Sequence, residues 1–226
     1  MNKSITGVLK MFLTDMKLSV LIFWGIMFAV YAILVYAVLQ FGDGEVISGN
    51  VSPLYIYMLI LGIVGLKETF PYALGMNVRR KDYFFGILLS GLVVAAAFSV
   101  VQTLLALLER AAFGQLGDVV QFFRIPAFAD IGAAGAWLTQ FLILTFMFAL
   151  GFLIALIFNR FGSTGLYALA GIALIAIILT HLMDGWSRVF AWLFGLDSLL
   201  SLALWLTPVA LLLLAASYGL IRRATA

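Results

Sequence analysis

Residues 18–40 read LSVLIFWGIMFAVYAILVYAVLQ, a run of 23 residues without a charged side chain. A helix of about 20 apolar residues is long enough to cross the roughly 30 Å hydrocarbon core of a bilayer. The run is longer than the apolar part of a secretory signal peptide, and no small-residue cleavage site follows it. The stretch therefore predicts a transmembrane helix that stays in the protein.

Composition extends this prediction to the rest of the chain. Of its 226 residues, 65% are hydrophobic and 10% are charged, and the mean hydropathy is +1.18. A soluble domain has roughly 45–50% apolar and about 25% charged residues. We predict an all-α membrane protein with one domain over residues 18–226 and six transmembrane helices. The five further spans are expected at 53–74, 83–108, 131–158, 161–180 and 199–221.

Two amphipathic segments accompany these spans. In residues 1–17 a helical period gathers the lysines on one face, which predicts a helix lying in the membrane interface. Residues 186–194, WSRVFAWLF, are too short and too polar to cross, and predict an amphipathic helix on the outer side before the last span. The apolar face of the first segment consists of Ile5, Val8, Leu9, Phe12, Leu13 and Met16.

The charge distribution orients the predicted bundle. With the N-terminus inside, ten of the 13 lysine and arginine residues lie in inner segments. Only Arg110, Arg124 and Arg188 lie in outer segments. Short cytoplasmic loops are enriched in Lys and Arg, so this asymmetry predicts a cytoplasmic N-terminus. Six spans then place the C-terminus in the cytoplasm too, and we expect a multi-pass protein of the bacterial plasma membrane.

Enzyme classes find little support in the sequence. The chain has no Gly-x-x-x-x-Gly-Lys-Ser/Thr motif, no cysteine and a single histidine. Ser163 and His181 resemble the pair of an intramembrane serine protease, but they are separated by about one span length. Residues 184–188 contain only the opening of a lipid-alcohol phosphotransferase motif. We predict no catalytic, cofactor or metal site on this chain, and no nucleic-acid partner.

Polar residues concentrate near the inner end of the second span. Lys67 and Glu68 lie within it, where a charge at the span centre costs about 2.5–3.5 kcal/mol. They are either snorkelling side chains or polar contacts to a partner near a cytoplasmic gate. Next comes the most polar run of the chain, Gly75–Asp82, GMNVRRKD. It predicts a short polar helix, which either fixes topology or docks a cytoplasmic partner.

Residues 73–86, ALGMNVRRKDYFFG, resemble the segment between the second and third spans of type-two ATP-binding-cassette (ABC) exporter permeases. In that family a small residue, Gly, an apolar residue, a polar residue, Arg-Lys and aromatic residues precede a glycine. The predicted spans and both amphipathic helices also resemble that family. The resemblance implies a coupling helix seated in a groove of a separate ATPase subunit. The matching coupling residues are Gly75, Asn77, Arg79, Arg80, Lys81 and Asp82.

The resemblance implies a permease subunit that moves a hydrophobic or amphipathic cargo, such as a drug, a peptide or a lipid-like molecule. ATP and Mg would bind the ATPase partner, and a second permease copy or a sister subunit would complete the membrane unit. The alternative is an ATPase-independent secondary carrier or a regulatory membrane partner. The span centres lack rows of ionisable residues and carry few polar ones, which favours an external motor over an ion gradient. These polar exceptions include Gln102, Thr103 and Gln140.

Overall fold

The computed structural model describes residues 3–41, 46–47, 52–113, 120–195 and 198–222. Most of the connection between the first two predicted spans and the predicted inner residue Arg223 lie outside these residues. The described chain is almost entirely helical, with one parallel pair of two-residue strands, β1 (Val46–Ile47) and β2 (Val120–Gln121), and a 3-10 helix at Pro126–Ile131. The α-helices are α1 (Lys3–Asp15), α2 (Lys17–Phe41), α3 (Ser52–Gly75), α4 (Arg80–Phe113), α5 (Gly132–Leu182), α6 (Gly185–Phe194) and α7 (Leu199–Ile221).

Five helices in the described part of the chain are long and apolar enough to cross a membrane, namely α2, α3, α4, α5 and α7. This agrees with the expectation of an all-helical membrane protein. Helix α7 covers the residues predicted for the last span, and its N-cap Ser198 accepts a hydrogen bond from the Ser201 backbone N–H. Helix α4 is longer than its predicted span at both ends. Helix α6 covers the predicted outer amphipathic segment.

Helix α5 joins the predicted fourth and fifth spans into 51 residues. A straight helix of this length would measure about 76 Å, more than twice the hydrocarbon core. Gly162 interrupts it with φ 65° and ψ −155°, a conformation that favours glycine. A methyl group on Gly165 would lie 3.2 Å from Ile157 Cγ2, although residues eight apart in a straight helix are about 12 Å apart. The chain therefore bends sharply at Gly162, close to the predicted boundary between the fourth and fifth spans.

Helices α3 and α5 approach each other at backbone distance. A methyl group on Gly62 would lie 2.5 Å from the Phe148 carbonyl oxygen, and one on Gly151 would overlap the carbonyl oxygen of Leu59. Small residues at a helix contact allow this approach in membrane proteins. The aromatic rings of Phe148 and Phe152 are buried beside it and stack with centroids 6.3 Å apart. This pair of helices forms the centre of the bundle.

Helix α1 packs onto this centre with its apolar face. Val8, Phe12 and Met16 are buried. Phe12 contacts Gly65 of α3 and meets the ring of Phe148 edge-on, with centroids 6.5 Å apart. Helix α1 lies within the segment 1–17 that was predicted to be amphipathic, and this part of its apolar face contacts protein. Gly65 of α3 makes this contact possible, because it leaves room for the Phe12 ring.

We expect Gly151→Ala to destabilise the protein by about 1–3 kcal/mol, the usual cost of overpacking, because the added methyl has no space beside Leu59. The measurement is unfolding of the purified chain in detergent. Gly171→Ala is the matched control, since a methyl group placed there would have no described atom within 4 Å apart from its own helix backbone and chain neighbours. Equal stability of the two variants would contradict the close α3–α5 contact.

Candidate functional site

The predicted coupling segment forms the turn between α3 and α4. Helix α3 ends at Gly75 and α4 begins at Arg80, so the separate short helix predicted here is wrong. The Asn77 N–H donates to the Leu74 carbonyl and the Val78 N–H to the Ala73 carbonyl, both at 3.0 Å, and Asn77 has φ 55°. This is a Schellman cap, in which asparagine takes the left-handed position more readily than most residues. The Schellman cap therefore gives a structural explanation for an asparagine at position 77.

The polar turn, residues 75–82, presents several of the predicted coupling residues at the surface. The side chains of Asn77, Arg79 and Lys81 are exposed, while Arg80 and Asp82 are partly buried. The Arg80 guanidinium donates to the Arg222 carbonyl oxygen at 3.2 Å, which ties the start of α4 to the end of α7. Asp82 lies in the first turn of α4, where a carboxylate interacts favourably with the helix dipole. Arg79 and Lys81 are thus the outermost cations of the turn.

A buried contact between α3 and α4 stabilises the polar turn. The hydroxyls of Thr69 and Tyr83 lie 2.8 Å apart, and both side chains are buried. The ring of Phe70 meets Tyr83 edge-on, with centroids 5.1 Å apart. This contact fixes the end of α3 against the start of α4. Lys67 and Glu68 precede it on α3 but are exposed, so they take no part in it.

A second candidate site lies near the opposite end of α4. A cavity of about 420 Å³ opens between α4, the segment 122–131 and the start of α5. Sequence analysis identified some of its polar residues one by one but did not place them together. The feature of the sequence that identified these residues was their position, because each interrupts an otherwise apolar helix or follows its end. The polar lining consists of Gln102, Thr103, Arg110, Arg124 and Gln140.

Sequence reasoning missed the role of Glu109, which the structure buries beside this cavity at 2% exposure. Its carboxylate accepts three consecutive backbone N–H groups, from Phe122 at 2.7 Å, Phe123 at 2.9 Å and Arg124 at 3.0 Å. Gln102 donates from its amide to the Phe123 carbonyl oxygen at 2.9 Å. Hydrogen bonds to charged groups are worth about 1.5–3 kcal/mol each. Two side chains of α4 thus hold the segment 122–124 in place.

The structure does not bring together the two residues of the protease-like pair. Ser163 and His181 lie on the same helical segment after Gly162, about 27 Å apart along its axis, which is too far for a hydrogen bond. Among the described residues, no three His, Cys, Asp or Glu side chains are grouped so that they could hold a metal ion. Comparisons with family models, with curated proteins and with solved structures find no match for the chain.

We expect Glu109→Gln to loosen the segment 122–124, because a neutral amide presents only one acceptor oxygen to three N–H groups. Loss of about 1.5 kcal/mol corresponds to roughly tenfold faster amide hydrogen exchange at Phe122, Phe123 and Arg124. Exchange measured by mass spectrometry tests this. Glu68→Gln removes an exposed carboxylate from α3 and should leave the same amides unchanged. Unaltered protection in Glu109→Gln would show that the carboxylate does not anchor the segment.

Proposed function

We propose that the chain is the transmembrane permease subunit of an ABC exporter, driven by ATP hydrolysis on a separate ATPase subunit. The observation that carries the proposal is the polar turn, in which Arg79 and Lys81 are exposed at a capped helix junction. A partner with an acidic groove would find two cations there in fixed positions. The resemblance of residues 73–86 to the coupling segment of type-two exporter permeases supports the same assignment.

The contacts around the polar turn would transmit a displacement of this turn to the neighbouring helices. The Schellman cap and the Thr69–Tyr83 contact connect the turn to α3 and α4, and the Arg80 hydrogen bond connects it to α7. A methyl group on Gly86, one turn further along α4, would lie 2.7 Å from Val8 Cβ, so α1 also contacts this end of α4. A partner that displaces the turn would therefore act on four helices together.

The apolar character of the bundle supports a hydrophobic or amphipathic cargo.

Only 6% of the spanning window of α2 is buried inside the chain, so most of its surface is available to lipid or to another subunit. Its exposed side chains include Leu21, Ile26 and Ile33. We infer that a second copy or a sister permease completes the membrane unit. ATP and Mg would be bound by the ATPase.

We further propose that the chain crosses the membrane six times, with both termini in the cytoplasm. The sharp bend at Gly162 supports two crossings within α5, because each part of α5 has about the length that a bilayer requires. The excess of Lys and Arg in the predicted inner segments supports the orientation. This topology places the polar turn in the cytoplasm, where an ATPase could reach it.

The natural absence of cysteine allows a clean test of this topology with single-cysteine variants. In right-side-out vesicles, a membrane-impermeant maleimide should label Ser187→Cys, which is on α6. It should not label Met76→Cys in the polar turn or Arg222→Cys after α7. If α5 crossed the membrane only once, α6 and the end of α7 would exchange sides. The maleimide would then label position 222 and leave position 187 unlabelled. That result would overturn six crossings.

The coupling assignment predicts that the chain co-purifies with an ABC ATPase subunit and that Arg79→Glu combined with Lys81→Glu abolishes this association. Two reversed charges at an acidic groove should reduce affinity by at least about 100-fold, since truncating an interfacial charge pair costs roughly 2–5 kcal/mol. The measurement is co-purification together with cargo transport in vesicles. Arg80 is left unchanged, because its hydrogen bond to Arg222 has a structural role.

The matched control is Arg160→Glu, a charge reversal at the other predicted inner turn. It should preserve the association if the contact is local to the polar turn. If the double variant keeps its ATPase and transports normally, the coupling assignment is wrong. Transport that follows an ion gradient without any ATPase would instead favour a secondary carrier.

A further inference from the structure

An apolar groove lies beside the bend at Gly162, between α5 and the C-terminal end of α7. Its volume is about 770 Å³, and its lining residues fall within 153–172 of α5 and 216–220 of α7. Among these lining residues, Thr164 has the one polar side chain. Small-molecule pockets in proteins measure about 300–1,000 Å³. This α5–α7 groove is therefore large enough for a ligand, and its lining suits an apolar one.

The small residues of the α5–α7 groove border open space. Gly165 and Ala168 on α5 and Ala216 and Gly219 on α7 all line it. Small residues at such positions usually let two helices in a membrane touch. A methyl group on Gly219 would nevertheless have no described atom within 4 Å apart from its own helix backbone and chain neighbours. Ile172, also in the lining, is 67% exposed. The described part of the chain therefore leaves room in the groove for an occupant from outside it.

The length of the groove matches one leaflet of a bilayer. From the bend at Gly162 to Ile172, α5 rises about 15 Å along its axis. Half of a hydrocarbon core of roughly 30 Å is also about 15 Å. The six-crossing topology proposed above places this bend at the cytoplasmic surface, so the groove extends from that surface to the middle of the bilayer. An acyl chain of the inner leaflet lies at the same depth.

A cation lies at the surface end of the groove. Arg160 comes directly before the bend, and its guanidinium carbon is 4.9 Å from the ring centroid of Phe161, a lining residue. Among the described residues this guanidinium has no hydrogen bond and no ion pair, so its N–H groups are available to an anion. Guanidinium groups match phosphate oxygens in charge and geometry. A phospholipid would supply both an anion for Arg160 and an apolar chain for the groove, whereas an apolar helix of another subunit would supply no anion.

We propose that the α5–α7 groove binds one acyl chain of an inner-leaflet phospholipid whose phosphate is bound by Arg160. The acyl chain fills the space beside Gly219 and packs against both helices. It therefore stabilises the contact between α7 and the part of α5 that follows the bend. The choice of leaflet rests on the proposed topology, but the site requires neither the polar turn nor an ATPase. Binding can therefore be measured on the chain alone.

Photochemical cross-linking locates the lipid on the unaltered chain. Phosphatidylglycerol with a photoreactive diazirine on one acyl chain is added to the purified chain in detergent, and the adducts are mapped by mass spectrometry. We expect adducts within 161–172 and 216–220 to outnumber those on the exposed apolar side chains of α2, which are open to any lipid. These side chains include Leu21, Ile26 and Ile33. Adducts spread equally over α2 and the groove would overturn the site.

Two pairs of variants test the individual contacts by native mass spectrometry with phosphatidylglycerol. Gly219→Phe places a ring in the groove and should remove the bound lipid. Gly171→Phe, the matched control, adds the same ring at an equally open glycine outside the lining and should retain it. Arg160→Gln should weaken binding about tenfold, the effect of losing one charge-assisted hydrogen bond. Arg188→Gln, on α6, should leave binding unchanged.

Equal effects of the two glycine variants, or of the two arginine variants, would overturn the proposal. Dimers that Gly219→Phe separates while lipid binding persists would assign the groove to a second copy of the chain instead. Thermal unfolding shows whether each variant is folded, and the cross-linking result stands without any variant. A negative result here would leave the coupling assignment intact, because association with an ATPase is measured separately.

Discussion

The backbone contact between α3 and α5 at Gly62 and Gly151 is the constraint on which the rest of the bundle depends. Lipid tails are as apolar as leucine, so helices in a bilayer gain little from hiding apolar surface and associate through close packing. Two glycines facing the opposite backbone give that packing here. Phe148 of α5 then meets Phe12 of α1, and a methyl group on Gly91 of α4 would overlap the Phe148 ring, so α1 and α4 pack against the same pair.

The polar side chains of the helices follow a second rule, which is that a polar group buried away from water needs a hydrogen-bond partner inside the protein. Some find one within their own helix, as Ser90 and Thr139 donate to the carbonyls of Gly86 and Gly135. Others connect different elements: Tyr55 to Gln140, Thr69 to Tyr83, and Glu109 to the segment 122–124. These cross-links occur where an irregular segment or a helix end must be fixed. Among the described residues Gln102 Oε1 and Thr145 Oγ1 are exceptions, because both are buried without a hydrogen-bond partner there.

The sequence predicted the helices well because length and hydropathy alone identify a long apolar helix, as they did for α2 and α7. It failed where local backbone geometry decides. A polar run of eight residues indicated a separate helix, but Asn77 in the left-handed conformation closes α3 and leaves room for only a short turn before α4. Glu109 directly follows the predicted span 83–108, a position where a charged residue is ordinary. Its burial depends on the backbone N–H groups of residues 122–124, and no pattern in the sequence brings these to it.

These hydrogen bonds also attach the two walls of the cavity to different helices. Glu109 and Gln102 hold the segment 122–124 to α4, so this segment follows α4 wherever that helix moves. Gln140, on the opposite wall, is bonded to Tyr55 of α3, and α3 packs on α5 through the glycine contact. Helix α4 is continuous from Arg80 to Phe113, so a displacement at the polar turn would be carried along its whole length. A motion of α4 relative to α3 and α5 would therefore change the shape of the cavity, which lies about 33–45 Å along α4 from Arg80.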